Sequence, residues 1–288
     1  MRIPVGTVEL AVETTGDRDD PPLLLLGTTA ATWPDAFVDR LPGRFVIRYD
    51  QRDAGRSTTV DPDDPGYTLR DLVADAVGVL DGLGIASAHV AGIGTAGFVA
   101  QVLALDHPAR VETLTLVGTR PTAPGPADDD LPEHGPSIME FFGSAPPVDW
   151  TDRASTIEGA VAAARVFSAS PDFDEAEARA HAERVLDRAG PHPASPRNSL
   201  TGSVFAALDC TPRWRERLPE ITRPTLVVHG ATDPFFPVGN GEALAREIPG
   251  ARLLVLDGVG AELPARAHAA VATAMLELSA NAVDSPSR

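Results

Sequence analysis

Apolar positions along this chain follow two alternating patterns: short runs with almost no polar residue, and longer stretches where apolar residues recur every three or four positions. Leu23-Leu24-Leu25-Leu26 is a wholly apolar run, the pattern of a strand buried on both faces. Phe45 to Tyr49, Ala88 to Ile93, Val111 to Val117, Thr225 to His229 and Arg252 to Leu256 repeat it. Val8 to Thr14 instead alternates as a half-buried strand does, Met1 to Pro4 reads as strand, and Asp17 to Pro22 is a turn-rich break. Helical spacing predicts helices over Pro34 to Leu41, Leu69 to Leu83, Phe98 to Leu105, Gly241 to Glu247 and Ala265 to Leu278. Leu72, Val73, Ala76, Val77 and Leu80 form the apolar face of the second. Strands alternating with helices predict an α/β fold: a mostly parallel central sheet with helices on both faces and an antiparallel edge from the first strands.

The rhythm breaks between about Thr119 and Arg217. That stretch is rich in Pro, has no buried-strand pattern, and predicts helices at Ile138 to Phe142, Ala154 to Phe167, Glu175 to Asp187 and Leu200 to Leu208. The expected organisation is a core formed by 1–118 and 218–280, a helical cap inserted at 119–217, and a loose tail at 281–288.

One segment carries candidate chemistry. Gly92-Ile93-Gly94-Thr95-Ala96-Gly97 follows a predicted strand and opens a predicted helix. Taken literally it is G-x-G-x-x-G, the dinucleotide fingerprint. The context opposes that reading: several strand–helix units precede the turn, and the next strand ends in Gly118-Thr119-Arg120 with no acidic residue for a ribose. The second reading is a nucleophile elbow, G-x-S-x-G, with Gly92 and Ala96 in the small flanking positions and Gly94 in the place of the serine.

Composition narrows the classes. The 288 residues carry 24 basic and 41 acidic side chains, a net charge of −17, which opposes binding to phosphate backbones or anionic membranes. All the basic residues are Arg, so no lysine Schiff base is available. The single Cys210 excludes an intramolecular disulfide and a cysteine-rich metal site. No run is long and apolar enough to span a bilayer and no leader-like segment opens the chain, so a cytoplasmic location is expected.

Further segments align with the elbow. Tyr49-Asp50-Gln51-Arg52-Asp53-Ala54-Gly55-Arg56-Ser57-Thr58 follows a predicted strand, His229-Gly230-Ala231-Thr232-Asp233-Pro234 follows another, and Gly258-Val259-Gly260-Ala261-Glu262-Leu263-Pro264 follows the last. With the cap segment Ile138-Met139-Glu140-Phe141-Phe142, they give the chain its resemblance to α/β-hydrolases of the aclacinomycin methylesterase type, found in actinomycete polyketide pathways. The resemblance implies an α/β-hydrolase fold with a helical cap, no cofactor, no metal, and ester hydrolysis by Ser, Asp and His. Of those three groups only the acid, Asp233, is present; Gly94 and Ala261 occupy the other two positions.

Gly94 has no side chain to attack with and Ala261 cannot shuttle a proton, so ordinary serine hydrolysis is not expected. Asp233 is the remaining catalytic candidate, either as a general acid or base or as a relic bonded to loop amides. Backbone N–H groups at Thr95 and at Thr28 or Thr29 are candidates for an oxyanion hole. Trp33, Met139, Phe141, Phe142, Trp150 and Phe235 are candidates for an apolar cavity beneath the cap, and Glu262 for a loop carboxylate that turns inward. His89, His229 and His134 read as structural or solvated residues. The expected partner is a small natural-product intermediate. The expected chemistry is cyclisation, elimination or rearrangement, with a non-catalytic binding role or a relocated nucleophile as alternatives.

Overall fold

The computed structural model describes residues 1–283 apart from Pro62 and Pro191. In chain order the elements are β1 (Arg2–Val5), β2 (Val8–Thr15), β3 (Pro22–Leu26), α1 (Asp35–Val38), β4 (Phe45–Tyr49), α2 (Leu69–Gly82), β5 (Ala88–Ile93), α3 (Ala96–Asp106) and β6 (Val111–Val117). They continue with α4 (Pro136–Ser144), α5 (Arg153–Ser168), α6 (Glu175–Leu186), α7 (Ser195–Thr201), β7 (Thr225–Gly230), α8 (Gly239–Glu247), β8 (Arg252–Leu256) and α9 (Ala265–Val283). The eight strands form one sheet in the order β1-β2-β4-β3-β5-β6-β7-β8. β1 pairs antiparallel with β2 and β2 with β4, and all other pairs are parallel.

The all-apolar runs become strands covered on both faces. Leu24, Leu26, Ile47 and Val90 point into a core shared with α2, α3 and α8, while Leu23, Leu25, Val46 and Val228 point into a second core with α1 and α9. The exception is β8. Its run resembles the others, but it is the edge strand, and Leu253 and Val255 stay exposed at 36% and 40%. The sequence shows the run; only sheet order shows that nothing lies beyond it.

Two expected boundaries change. The helix expected over 200–208 is instead α7, which stops at Gly202 in the left-handed region (φ 61°), followed by a short 3₁₀ turn, Ser203–Ala206. Residues 281–283 of the expected tail extend α9, and 284–288 lie outside the described residues.

α3 is buried all round, so it lies inside the molecule with no solvent face. Its inner side rests on β5 and β6. On its other side Phe98 meets Phe205 and Trp214, with ring centroids 6.0 and 5.8 Å apart. The segment between β6 and β7 therefore helps hold the central helix in place as well as covering the sheet ends.

A buried carboxylate ties that segment to the core. Asp50, just past β4, is inaccessible to solvent and accepts from the amides of Ala30 and Arg56, each at 2.8 Å. It also receives Arg188 Nε at 3.1 Å and Nη2 at 3.0 Å, and Arg188 has a second anchor on Glu13 at 2.6 Å. Removing one partner of such a buried pair leaves an uncompensated charge, at a cost of about 3–5 kcal/mol. Asp50→Ala is therefore expected to lower unfolding stability by about that much in urea titrations, whereas an exposed change such as Glu140→Ala stays within about 0.5 kcal/mol.

Candidate active site

The turn from β5 into α3 is sharp because small residues let the helix close on the strand. A side chain on Gly92 would lie 2.8 Å from both Ala96 O and Ala100 Cβ, so the strand and the first helical turn approach too closely for any Cβ. Gly94, at the apex, has φ 57° and donates its N–H to Val117 O at 2.9 Å. A Cβ built on Gly94 meets no atom within 4 Å, so the space a side chain would occupy there is open. These restraints give Gly92 a steric role and Gly94 a conformational one in a strand–helix elbow, and they account for those glycines without a pyrophosphate.

Asp233 and Ala261 converge on the same spot. A Cβ placed on Gly118, the residue after β6, would be 3.4 Å from Ala261 O and 3.9 Å from Asp233 Oδ2. Gly118 itself adjoins Val117, whose carbonyl holds Gly94. The carboxylate is split in its bonding: Oδ1 accepts from the amides of Phe235 and Phe236 at 2.8 and 2.9 Å, while Oδ2 is buried without a hydrogen-bond partner. One oxygen thus behaves as a loop-binding acceptor, and the other lacks the donor that an imidazole would supply. His229 comes near, with Nε2 3.4 Å from Oδ2, but that N–H donates to Phe236 O at 2.6 Å and the ring is buried. Among the described residues no histidine is hydrogen-bonded to a serine.

The oxyanion candidates separate. Thr29 donates its amide to Thr32 Oγ1 at 3.3 Å, inside its own turn, which takes it out of the set. Nothing among the described residues accepts from the amides of Thr28 or Thr95. Their hydroxyls lie together near the α7 end, 3.6 and 3.4 Å from where a Gly202 Cβ would sit. Two free amides from the β3 and β5 ends can polarise one carbonyl.

Of the apolar candidates, Phe235 is the hub. It packs on Phe167 at 5.0 Å, on Phe142 at 6.4 Å and on the His134 ring at 4.6 Å, nearly parallel. Phe141 touches Phe142, and Met139 and Phe142 on α4 are both 57% exposed. Together these form an accessible apolar wall beside Asp233. Trp33 is a correction: it is fully buried between β3 and α1, its ring tilted at 46° against Phe37 and its indole N–H on Leu26 O, so it is core. Trp150 is half-buried between α4 and α5 and joins none of these ring contacts. His134 is not a free solvated side chain: its ring stacks on Phe235 and its Nδ1 pairs with the Phe235 carbonyl. Phe167 and Phe236 were missed, since nothing in their spacing distinguishes them from ordinary core positions.

Electrostatics draw attention to Glu262 and His181. Burial, with Glu177 nearby, pushes the Glu262 carboxyl up to about 8, although its side chain keeps access to solvent. Burial, aided by Arg184, pushes the His181 imidazole down to about 4. Burial raises the Cys210 thiol to about 11, which leaves it unreactive at neutral pH. His181 was missed because a lone histidine on a cap helix has no distinguishing spacing.

A parallel sheet with an elbow after the central strand, an acid after β7 and a loop after β8 defines an α/β-hydrolase. The chain matches the alpha/beta hydrolase fold family over residues 21–264 and belongs to it. It is 33% identical to rhodomycin D methylesterase DnrP of Streptomyces peucetius, over 93% of this chain and 94% of that one. It is 32% identical to rhodomycin D methylesterase DauP of a Streptomyces strain, with the same coverage. A solved hydrolase from Pseudomonas aeruginosa shares 30% identity at a TM-score of 0.68, covering 96% of this chain and 97% of that one. Among the described residues no helix is long and apolar enough to cross a membrane.

The raised Glu262 carboxyl has a pH signature. Between its ordinary value of 4.5 and about 8 the folded protein holds a proton that the unfolded chain releases, so stability falls as pH rises through that window. Solvent access damps the size of the effect. Glu262→Gln is expected to flatten the pH dependence of the melting temperature and to be more stable than the parent above pH 8.

Proposed function

We propose that this protein takes a bulky, largely apolar natural-product intermediate through cyclisation, elimination or rearrangement, without hydrolysing an ester and without a cofactor. The observations that carry the reading are the open, side-chain-free apex at Gly94, a methyl group at Ala261 close to Asp233, and Asp233 Oδ2 buried without a hydrogen-bond partner. A serine triad needs a hydroxyl and an imidazole in those two places. What the site retains is a shaped apolar wall, two free amides and acid–base groups. Holding a flexible substrate in its reactive conformation can supply effective molarities on the order of 10⁵ M.

Kinship favours a second reading. Rhodomycin D methylesterases are esterases by name, and this chain is related to them along nearly its whole length. Ester hydrolysis by a relocated nucleophile would use the same wall and amides.

Incubation of the purified protein with a serine-directed fluorophosphonate and a panel of aryl methyl esters separates the two. No labelling and no turnover are expected, while polycyclic pathway intermediates are converted to isomeric or dehydrated products seen by mass spectrometry. Labelling or robust ester turnover overturns the proposal, and binding without conversion makes the protein a carrier. Gly94→Ser combined with Ala261→His is expected to gain fluorophosphonate labelling that the parent lacks. The open space at 94 admits the side chain, and a side chain at that φ costs about 1–2 kcal/mol.

A further inference from the structure

Two acceptor oxygens approach one spot at the end of β6, and no donor of the protein reaches either. Apart from its chain neighbours, a Cβ built on Gly118 would meet only Ala261 O at 3.4 Å and Asp233 Oδ2 at 3.9 Å. The Asp233 side chain is wholly withdrawn from solvent, and no group donates to its Oδ2. Among the described residues nothing donates to Ala261 O either. His229 does not serve, because its Nε2–H is committed to Phe236 O at 2.6 Å. A buried acceptor left unpaired carries an energetic penalty, and a second free acceptor beside it suits a group with more than one N–H.

Both oxygens are held in place. Asp233 Oδ1 accepts from the Phe235 and Phe236 amides, which fixes the carboxylate and keeps Oδ2 beside the gap. The Ala261 peptide is anchored by its N–H on Phe167 O at 2.9 Å. Thr232 holds the preceding turn through Val259 O, at 3.1 Å from its N–H and 3.0 Å from its hydroxyl. The gap adjoins the elbow: Val117 O, one residue before Gly118, takes the Gly94 N–H at 2.9 Å, and space opens beyond Gly94. Carboxylates prevail around it. Glu262 follows Ala261 and Glu177 accepts from Ala265 N–H at 2.7 Å, whereas the Arg266 guanidinium is engaged by Gly258 O and Ser170 Oγ. The whole chain carries −17, which draws cations rather than anions toward it.

Resting on the reading above that this elbow receives the substrate, we propose that the gap over Gly118 is a subsite for an ammonium group of that substrate. Its N–H donors go to Asp233 Oδ2 and Ala261 O, so the ligand supplies the donor that a triad imidazole supplies to its acid. The substrate class is thereby an amine-bearing apolar compound. Charge-assisted hydrogen bonds made away from water are stronger than neutral ones, so the buried carboxylate favours a cation with N–H groups. An alcohol brings a donor without the charge, and a quaternary ammonium brings the charge without a donor. Both are poor occupants. With the ammonium anchored at Asp233, the apolar body of the substrate lies against the wall built on Phe235, whose amide holds the same carboxylate.

Calorimetric titration of the full chain with benzylammonium tests this, beside benzyl alcohol, which lacks the charge, and benzyltrimethylammonium, which lacks the N–H donors. Benzylammonium is expected to bind at least about tenfold more tightly than either. Asp233→Asn removes the charge while keeping an acceptor for the Phe235 and Phe236 amides, and Gly118→Ala puts a methyl group in the gap. Each is expected to erase the preference. Gly118 has φ 51°, so alanine there strains the backbone, and Asp233→Asn decides the matter if that variant does not fold. No binding of benzylammonium, equal binding of the three probes, or a preference that survives in either folded variant overturns the subsite. Fluorophosphonate labelling or ester turnover beside an intact preference overturns the non-hydrolytic reading and leaves the subsite standing. Conversion of neutral pathway intermediates with no ammonium preference does the reverse.

Discussion

Everything at this site depends on how closely α3 packs on the end of β5. The helix is buried on every side, and its first turn sits against a strand position where any Cβ would be 2.8 Å from helix atoms. The backbone at Gly94 is thereby held at φ 57° by packing, whatever residue stands there. Core packing alone therefore fixes the elbow, and the shape of this corner is separable from whatever chemistry it frames.

Coupling between cap and core follows the same economy. Arg188 beyond α6 locks onto Asp50, Phe205 and Trp214 pack on Phe98 of the central helix, and the loop after β8 hangs from the end of α5. The inserted helices therefore complete the core, and they bring their own polar groups to the strand ends. The Asp50 to Thr58 stretch, which gives the chain much of its family likeness, is structural on this view: Asp50 binds two amides and an arginine, and Ser57 ties Ala11 N–H to Asp50 O at 2.8 and 2.6 Å.

The sequence alone determined most of the architecture. β4, β5 and β6 coincide with their apolar runs to the residue, because strands covered by helices must be apolar throughout; β8 also matches its run but lies at the sheet edge. The elbow after β5 was equally legible, since the glycine spacing between a strand and a helix places it without coordinates. Only tertiary structure decided the rest. It put Trp33 in the core, spent the Thr29 amide inside its own turn, left β8 at an open edge, and packed Phe167 from an unremarked cap position against Phe235. Spacing along a chain reports local repeats, whereas desolvation, free amides and shared neighbours arise only when distant segments meet.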